Sequence, residues 1–255
     1  MLELNLTDKI VIITGAGKGT GEVVCKEFAK AGAHIVLVSR TQAELDKVAA
    51  DVRALGREAL PIAADVTDAA QVDSVVKQTM DKFGRIDILI NVAGGIIHMK
   101  NTNEVTAEEW NETVNLNLTA PFICSQAVSK VMIEQRAGSI VNISSFAAQA
   151  GYHMSPHYGA GKAGLNSLTQ SLADAWARHN INVNGIAPGL ISTEAMKSYG
   201  ILPLETREDG SPVPLAMLPS SPERIAALAI FLCLDASGHI SGQTITMGHR
   251  AKLRS

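Results

Sequence analysis

Aromatic side chains make up only 4% of this 255-residue chain, so its core must be built from Val, Ile, Leu and Ala. Those are the residues that buried parallel strands and their covering helices prefer. Cysteine is scarce too. Cys25, Cys124 and Cys233 lie far apart in apolar helical patterns, and an odd, scattered set suits buried, reduced thiols better than disulfides or a zinc site. There is no long run of one charge sign and the formal net charge is −3, which recommends neither nucleic acid nor a charged membrane as partner. No apolar stretch reaches the length of a membrane span, and Met1 to Lys9 alternates polar and apolar residues without a basic-then-apolar signal. The expectation is a cytoplasmic protein.

What the chain does have is 46% hydrophobic residues and a mean hydropathy of +0.14, enough for a sheet covered on both faces. Short β-branched runs alternate with longer helical patterns. Strands are predicted at Ile10–Thr14, His34–Ser39, Glu58–Ala63, Ile86–Asn91, Ser139–Ile143, Asn182–Ala187 and Gln243–Met247. Helices are predicted at Glu22–Ala31, Gln42–Leu55, Ala69–Phe83 and Pro222–Leu234, among others, with Thr41, Asp68 and Ser221 as N-caps and Gly32, Gly56 and Gly84 beyond the C-termini. This alternation predicts an α/β fold: a single doubly wound, Rossmann-type domain over residues 1–249, with a seven-stranded parallel sheet and helices on both faces. Arg250 to Ser255 form a basic tail outside it. Ser192 to Ser220 breaks the rhythm with four prolines and reads as a substrate loop or lid.

The first strand runs into Thr14-Gly15-Ala16-Gly17-Lys18-Gly19-Thr20-Gly21 and then a helix. Glycines there allow a tight turn and let backbone N–H groups approach a pyrophosphate at the positive helix end. The pattern is not the common G-x-G-x-x-G, since its fixed glycines fall at Gly15, Gly19 and Gly21. At the end of the second strand a carboxylate would suit a free ribose 2′-hydroxyl, and cations a 2′-phosphate. The chain offers Ser39-Arg40, with no acid until Glu44, and Lys18 lies in the glycine turn. That combination favours NADP(H), with NAD(H) as the alternative.

Tyr158-Gly159-Ala160-Gly161-Lys162 puts two titratable groups one helical turn apart on one face. A lysine ammonium beside a tyrosine is expected to lower the phenol's pKa and ready it for proton exchange.

Taken together, these elements resemble the short-chain dehydrogenase/reductase family in its compact single-domain form, over nearly the whole chain. Thr14–Gly21 resembles the family's TGxxxGxG turn, and Asp65-Val66 its adenine-contacting acid after the third strand. Asn91-Val92-Ala93-Gly94 is similar to the NNAG element, with Val92 in place of the second Asn. Asn117 falls where the family carries an Asn in its fourth long helix, Ser145 precedes Tyr158 at the family spacing, and Pro188, Gly189, Ile191 and Thr193 resemble the nicotinamide-side segment. Ser144 competes with Ser145, which fits the spacing better. The resemblance implies that Tyr158 is the general acid in reduction and the base in oxidation, with Ser145 stabilising the substrate oxygen. Lys162 would tune Tyr158 and hold the nicotinamide ribose, and Asn117 would interrupt its helix and anchor a water that relays protons. Hydride would pass directly between nicotinamide and substrate.

The implied activity is NADP(H)-dependent interconversion of a carbonyl and an alcohol, as in a ketone or oxo-acyl reductase. A lyase or epimerase on the same fold, or a non-catalytic NADP sensor, are the alternatives. His153 and His157 lack an evident third ligand, so no metal is expected; they and His98 are candidates to line the substrate pocket. The apolar residues of the Ser192–Ser220 loop, which covers the substrate in that family, fit either a fairly hydrophobic substrate or the packing of the loop onto the body. The family's terminal Asp-Gly-Gly is Met247-Gly248-His249 here, in a segment that contributes to subunit packing in relatives, where homotetramers or homodimers are usual.

Overall fold

The computed structural model describes residues 4–192, 211–213 and 218–248. Its strands are β1 (Ile10–Thr14), β2 (His34–Ser39), β3 (Ala59–Ala63), β4 (Ile88–Asn91), β5 (Gly138–Ile143), β6 (Ile181–Pro188) and β7 (Thr244–Met247). All pair in parallel, in the order β3-β2-β1-β4-β5-β6-β7. The main helices are α1 (Gly19–Lys30), α2 (Gln42–Ala54), α3 (Ala69–Phe83), α4 (Ala107–Val114), α5 (Ala120–Gln135), α6 (Pro156–Trp176) and α7 (Pro222–Leu232). The predicted doubly wound sheet is therefore the observed one.

The unbroken apolar strands follow from burial on two sides, because successive side chains point to opposite faces. Val11, Ile13, Ile35, Leu37, Ile88 and Ile90 pack with α1, α2 and α7 in one layer. Ile10, Ile12, Val36, Val38 and Leu89 pack with α3 and α5 in the other. Phe28 is the largest side chain in the chain's fully buried set and seats α1 on the sheet. Phe28→Ala is expected to cost about 3–5 kcal/mol, read from the urea midpoint.

At two strand starts that differ from the sequence reading, side chains have claimed the backbone. β4 starts at Ile88, because Gln135 accepts from Ile86 N at 3.0 Å and donates to Ile86 O at 2.7 Å. β3 starts at Ala59, because His34 Nδ1 accepts from Glu58 N at 2.9 Å. α1 begins at Gly19, since the glycine turn winds straight into the helix. Asp68 caps α3 by accepting from Ala70 N and Gln71 N, and Ser221 caps α7 by accepting from Arg224 N. Thr41 precedes α2 without a side-chain cap bond.

Cys25 and Cys124 are buried and Cys233 partly so; all three are free, and burial pushes each thiol up. Among the described residues, no helix is long and apolar enough to cross a membrane. Thr193, most of the predicted substrate loop and the 250–255 tail lie outside the described residues. The loop's two ends are within them: Ile191 bridges Ser220, Ser192 N donates to Ser220 O at 2.9 Å, and Ser220 N donates to Leu190 O at 2.8 Å.

Candidate active site

Sheet order reverses between β1 and β4, and such a switch point leaves a crevice beyond the strand ends. Here it is a cleft of about 610 Å³, walled by residues that follow β1 through β6.

One end is the glycine turn. Gly15 and Gly19 have φ of 67° and 59°, where a side chain is strained. A Cβ on Gly21 would run into the Gly15 carbonyl, and one on Gly15 would meet Ala93 Cα and N at 2.9 Å. Thr14 Oγ1 accepts from Val92 N and Ala93 N at 3.1 Å each, which locks the strip after β4 against this turn. Lys18 precedes α1 without a side-chain cap bond, so it leaves the first N–H groups of the helix uncapped. Of the residues predicted to hold cofactor, Gly15, Gly17, Lys18, Thr20, Gly21, Ser39, Arg40, Asp65, Val66, Ala93, Gly94, Tyr158, Lys162 and Ile191 line this cleft. Gly19, the first residue of α1, Pro188, the last of β6, and Gly189 just after it are not among the lining residues.

Asn91 differs from its predicted place. Its side chain is buried beneath the cleft, donating to Asn142 Oδ1 at 2.9 Å and Ser125 Oγ at 3.2 Å. It braces β4 against β5 and α5 rather than facing a ligand. Asp65 does face the cleft. Thr67 N and Oγ1 donate to one of its oxygens at 2.9 and 2.7 Å, which holds its carboxyl below the usual range, and the nearby Arg40 charge adds to this.

The other end gathers the candidate catalytic groups. Tyr158 and Lys162 project from the first turns of α6, and Lys162 Nζ lies 5.9 Å from the Tyr158 ring centroid. Lys162 is buried, its Nζ donates to Ile143 O at 2.8 Å, and desolvation pulls its pKa down to about 8. Burial raises Tyr158 above its ordinary value, and a hydrogen bond with Ser145 works against that rise. This reverses the net direction expected from a neighbouring ammonium: desolvation is the stronger influence. Ser145 Oγ also accepts from Ala147 N at 3.1 Å. Ser144 Oγ donates instead to Asn166 Oδ1 at 2.6 Å and Lys162 O at 3.3 Å, so it ties β5 to α6 and leaves Ser145 facing Tyr158.

Asn117 lies in a π-helical turn, Asn115–Thr119, that interrupts the long helix as expected. Its Oδ1 accepts from Gly95 N at 2.9 Å, and its Nδ2 donates to Gly95 O and Thr113 O at 2.9 Å each. The side chain thus clamps the Gly94–Gly95 strip. A Cβ on Gly94 would meet both Asn117 Oδ1, at 2.9 Å, and Lys162 Nζ, at 3.0 Å.

The histidines fall elsewhere. His157 is fully buried in a stack between His98 and Trp110, each 6.4 Å away, and lowers its pKa by burial. His98 is held by Glu112 at 2.8 Å, and His153 is exposed. Among the described residues, no group of three or more His, Cys, Asp or Glu could hold a metal. Sequence reasoning missed Glu44 and Glu112 as cleft residues. Glu44 follows Thr41 at capping-box spacing, which disguises it as a helix cap.

The family model described as short chain dehydrogenase matches residues 9–200. The chain belongs to the short-chain dehydrogenase/reductase family. It is 35% identical over 244 residues to a 3-oxoacyl-[acyl-carrier-protein] reductase of Synechocystis sp., covering 95% of this chain and 96% of that one. It is 34% identical to a 2-dehydro-3-deoxy-D-gluconate 5-dehydrogenase of Dickeya dadantii, covering 95% of each. Among solved structures, an NAD+-bound xylitol dehydrogenase matches with a TM-score of 0.86 and 28% identity, over 95% of this chain and 98% of that one. This short-chain dehydrogenase/reductase is therefore an oxidoreductase acting at CH–OH and oxo groups. The family implies a nicotinamide cofactor, and the cleft fits one: the turn has open space where Gly19 would carry a Cβ, and Ser39 Oγ is buried in the wall without a hydrogen-bond partner.

Proposed function

We propose that this enzyme reduces a ketone or 3-oxoacyl group with NADPH, the reverse oxidation running on the same residues. The observation that carries the reading is the Tyr158–Ser145 hydroxyl pair, with Tyr158 and buried Lys162 on the wall of a dinucleotide-sized cleft. Bound NADPH supplies the hydride. Tyr158 donates its hydroxyl proton to the carbonyl oxygen as that oxygen gains charge, and Ser145 holds the same oxygen by a second hydrogen bond. The Lys162 ammonium, one helical turn on, offsets the phenolate that remains. Asn117 keeps the Gly94–Gly95 strip against Lys162 through its two bonds to Gly95.

The cofactor preference is supported by Lys18 and Arg40 beside Ser39 at the adenosine end of the cleft. Relatives named for oxo-acyl reduction support the substrate class, while the NAD+-bound xylitol dehydrogenase keeps NAD(H) as the alternative cofactor. The same reading makes it a cytoplasmic homotetramer or homodimer with a small, partly apolar substrate. A panel of carbonyls and alcohols assayed with NADPH and NADH is expected to give higher kcat/KM with NADPH. A clear preference for NADH would overturn the reading of Lys18 and Arg40.

Lys162 gives this reading a pH signature. Its folded-state pKa, about 8, lies below the 10.5 of a free lysine. In reduction, kcat/KM is therefore expected to stay level below that point and to fall as pH rises through it, because the ammonium is lost. Stability runs the other way. The unfolded chain binds the extra proton between the two values, so burying Lys162 costs stability below pH about 8 and progressively less as pH climbs to 10.5. Lys162→Met is expected to raise the melting temperature at neutral pH while removing activity. A lower melting temperature at neutral pH would contradict this account.

A further inference from the structure

The adenosine end of the cleft carries a carboxylate that the cofactor reading does not explain. Thr41-Gln42-Ala43-Glu44 has the spacing of a capping box, in which Glu44 would turn back to the start of α2. No such cap forms at Thr41. Glu44 reaches across to the glycine turn, where its Oε1 lies 3.3 Å from Lys18 Nζ. A Cβ on Gly17 would lie 2.9 Å from Glu44 Oε2 and 3.0 Å from Ser39 Oγ, so carboxylate and hydroxyl converge over the same glycine. Ser39 Oγ is buried there without a partner.

The cations at this end are therefore already answered by acids. Lys18 pairs with Glu44, and Arg40 lies within electrostatic reach of Asp65. All four line the cleft. A 2′-phosphate entering between Lys18 and Ser39 must take Lys18 from Glu44 and then sit beside that carboxylate. A free 2′-hydroxyl meets the opposite situation, because a carboxylate accepts a hydrogen bond from it and Ser39 offers a second partner.

We infer that Glu44 is a specificity-determining residue, a resident anion that narrows the 2′-phosphate preference set by Lys18 and Arg40 without reversing it. The inference rests on the cofactor reading above, in that it takes this end of the cleft as the ribose subsite. Lys18 is highly exposed, with 81% of its side chain open to solvent, so its pairing with Glu44 is weak and readily exchanged. Glu44 then acts mainly through repulsion of the bound phosphate, an effect sensitive to ionic strength.

The test is equilibrium binding to Glu44→Gln and Glu44→Ala by titration calorimetry, with NADPH, NADH, 2′,5′-ADP and 5′-AMP as probes. The last two report the adenosine end alone. Both variants are expected to tighten NADPH and 2′,5′-ADP by about fivefold or more at low salt, with the gain shrinking as salt rises. NADH and 5′-AMP are expected to bind no more tightly than to the parent. A ratio of NADPH to NADH affinity that moves by less than about twofold in both variants, with melting curves unchanged, would overturn the role of Glu44. Lys18→Ala and Arg40→Ala separate this outcome from failure of the cofactor reading. If they cost no 2′,5′-ADP affinity, the phosphate site is elsewhere and that reading falls. If they do cost affinity while Glu44→Gln changes nothing, only the inference about Glu44 falls.

Discussion

Tyr158→Phe is expected to lower turnover by about 10²–10⁴-fold while leaving cofactor affinity nearly unchanged. The substitution removes one oxygen and keeps the ring. The first turn of α6 keeps its packing, and Lys162 keeps its bond to Ile143 O. Ser145 loses a partner but still accepts from Ala147 N. What disappears is the hydroxyl that bonds with Ser145 and would give a proton to a substrate oxygen. Single-turnover reduction of a preformed enzyme–NADPH complex separates the proton step from binding. Turnover within tenfold of the parent would remove Tyr158 from the chemistry, and the proposed reaction with it.

Gly21→Ala is expected to weaken cofactor binding by about a hundredfold or more, equivalent to ~2.7 kcal/mol. The new methyl would collide with the carbonyl group of Gly15 and press on Ala16 Cα, 3.2 Å away. Gly15 cannot retreat, because its own Cβ position is closed by Ala93 at 2.9 Å and its φ of 67° already lies in the left-handed region. The strain must be relieved by moving α1 away from the turn, which takes the helix N-terminus out of reach of a pyrophosphate. Gly151→Ala is the control, since nothing lies within 4 Å of its Cβ position and its φ is ordinary. Calorimetric titration with NADPH that gave affinity within threefold for Gly21→Ala would show that this contact is not what seats the cofactor.

Much of this architecture was legible because it is local. The two-sided apolar strands announce a parallel sheet, and helix α3 was predicted to its first and last residue, because Asp68 and Gly84 punctuate it chemically. The glycine turn and Tyr158–Lys162 were legible for the same reason: short motifs carry their own geometry. What escaped notice depends on distant partners. The start of β4 is decided by Gln135, forty-nine residues away. Asn91 shares a motif with the cleft-lining Ala93 and Gly94, yet it ends β4 and its side chain joins a buried polar network with Asn142 and Ser125. The direction of the Tyr158 shift depends on burial, which a Tyr-Lys spacing does not encode. His157 belongs to an aromatic stack with Trp110, set by the packing of α4 on α6.

The pinning of Ile191 to Ser220 has a consequence for how such a protein can change over time. Changing the number of residues between two paired points costs little, about 0.6 kcal/mol for each doubling. The sequence between Ser192 and Ser220 is in this sense a cassette, bounded by the pairing of Ile191 and Ser192 with Ser220. A lineage could try new substrates by rewriting that cassette alone, and leave the redox apparatus around Tyr158 to be inherited intact.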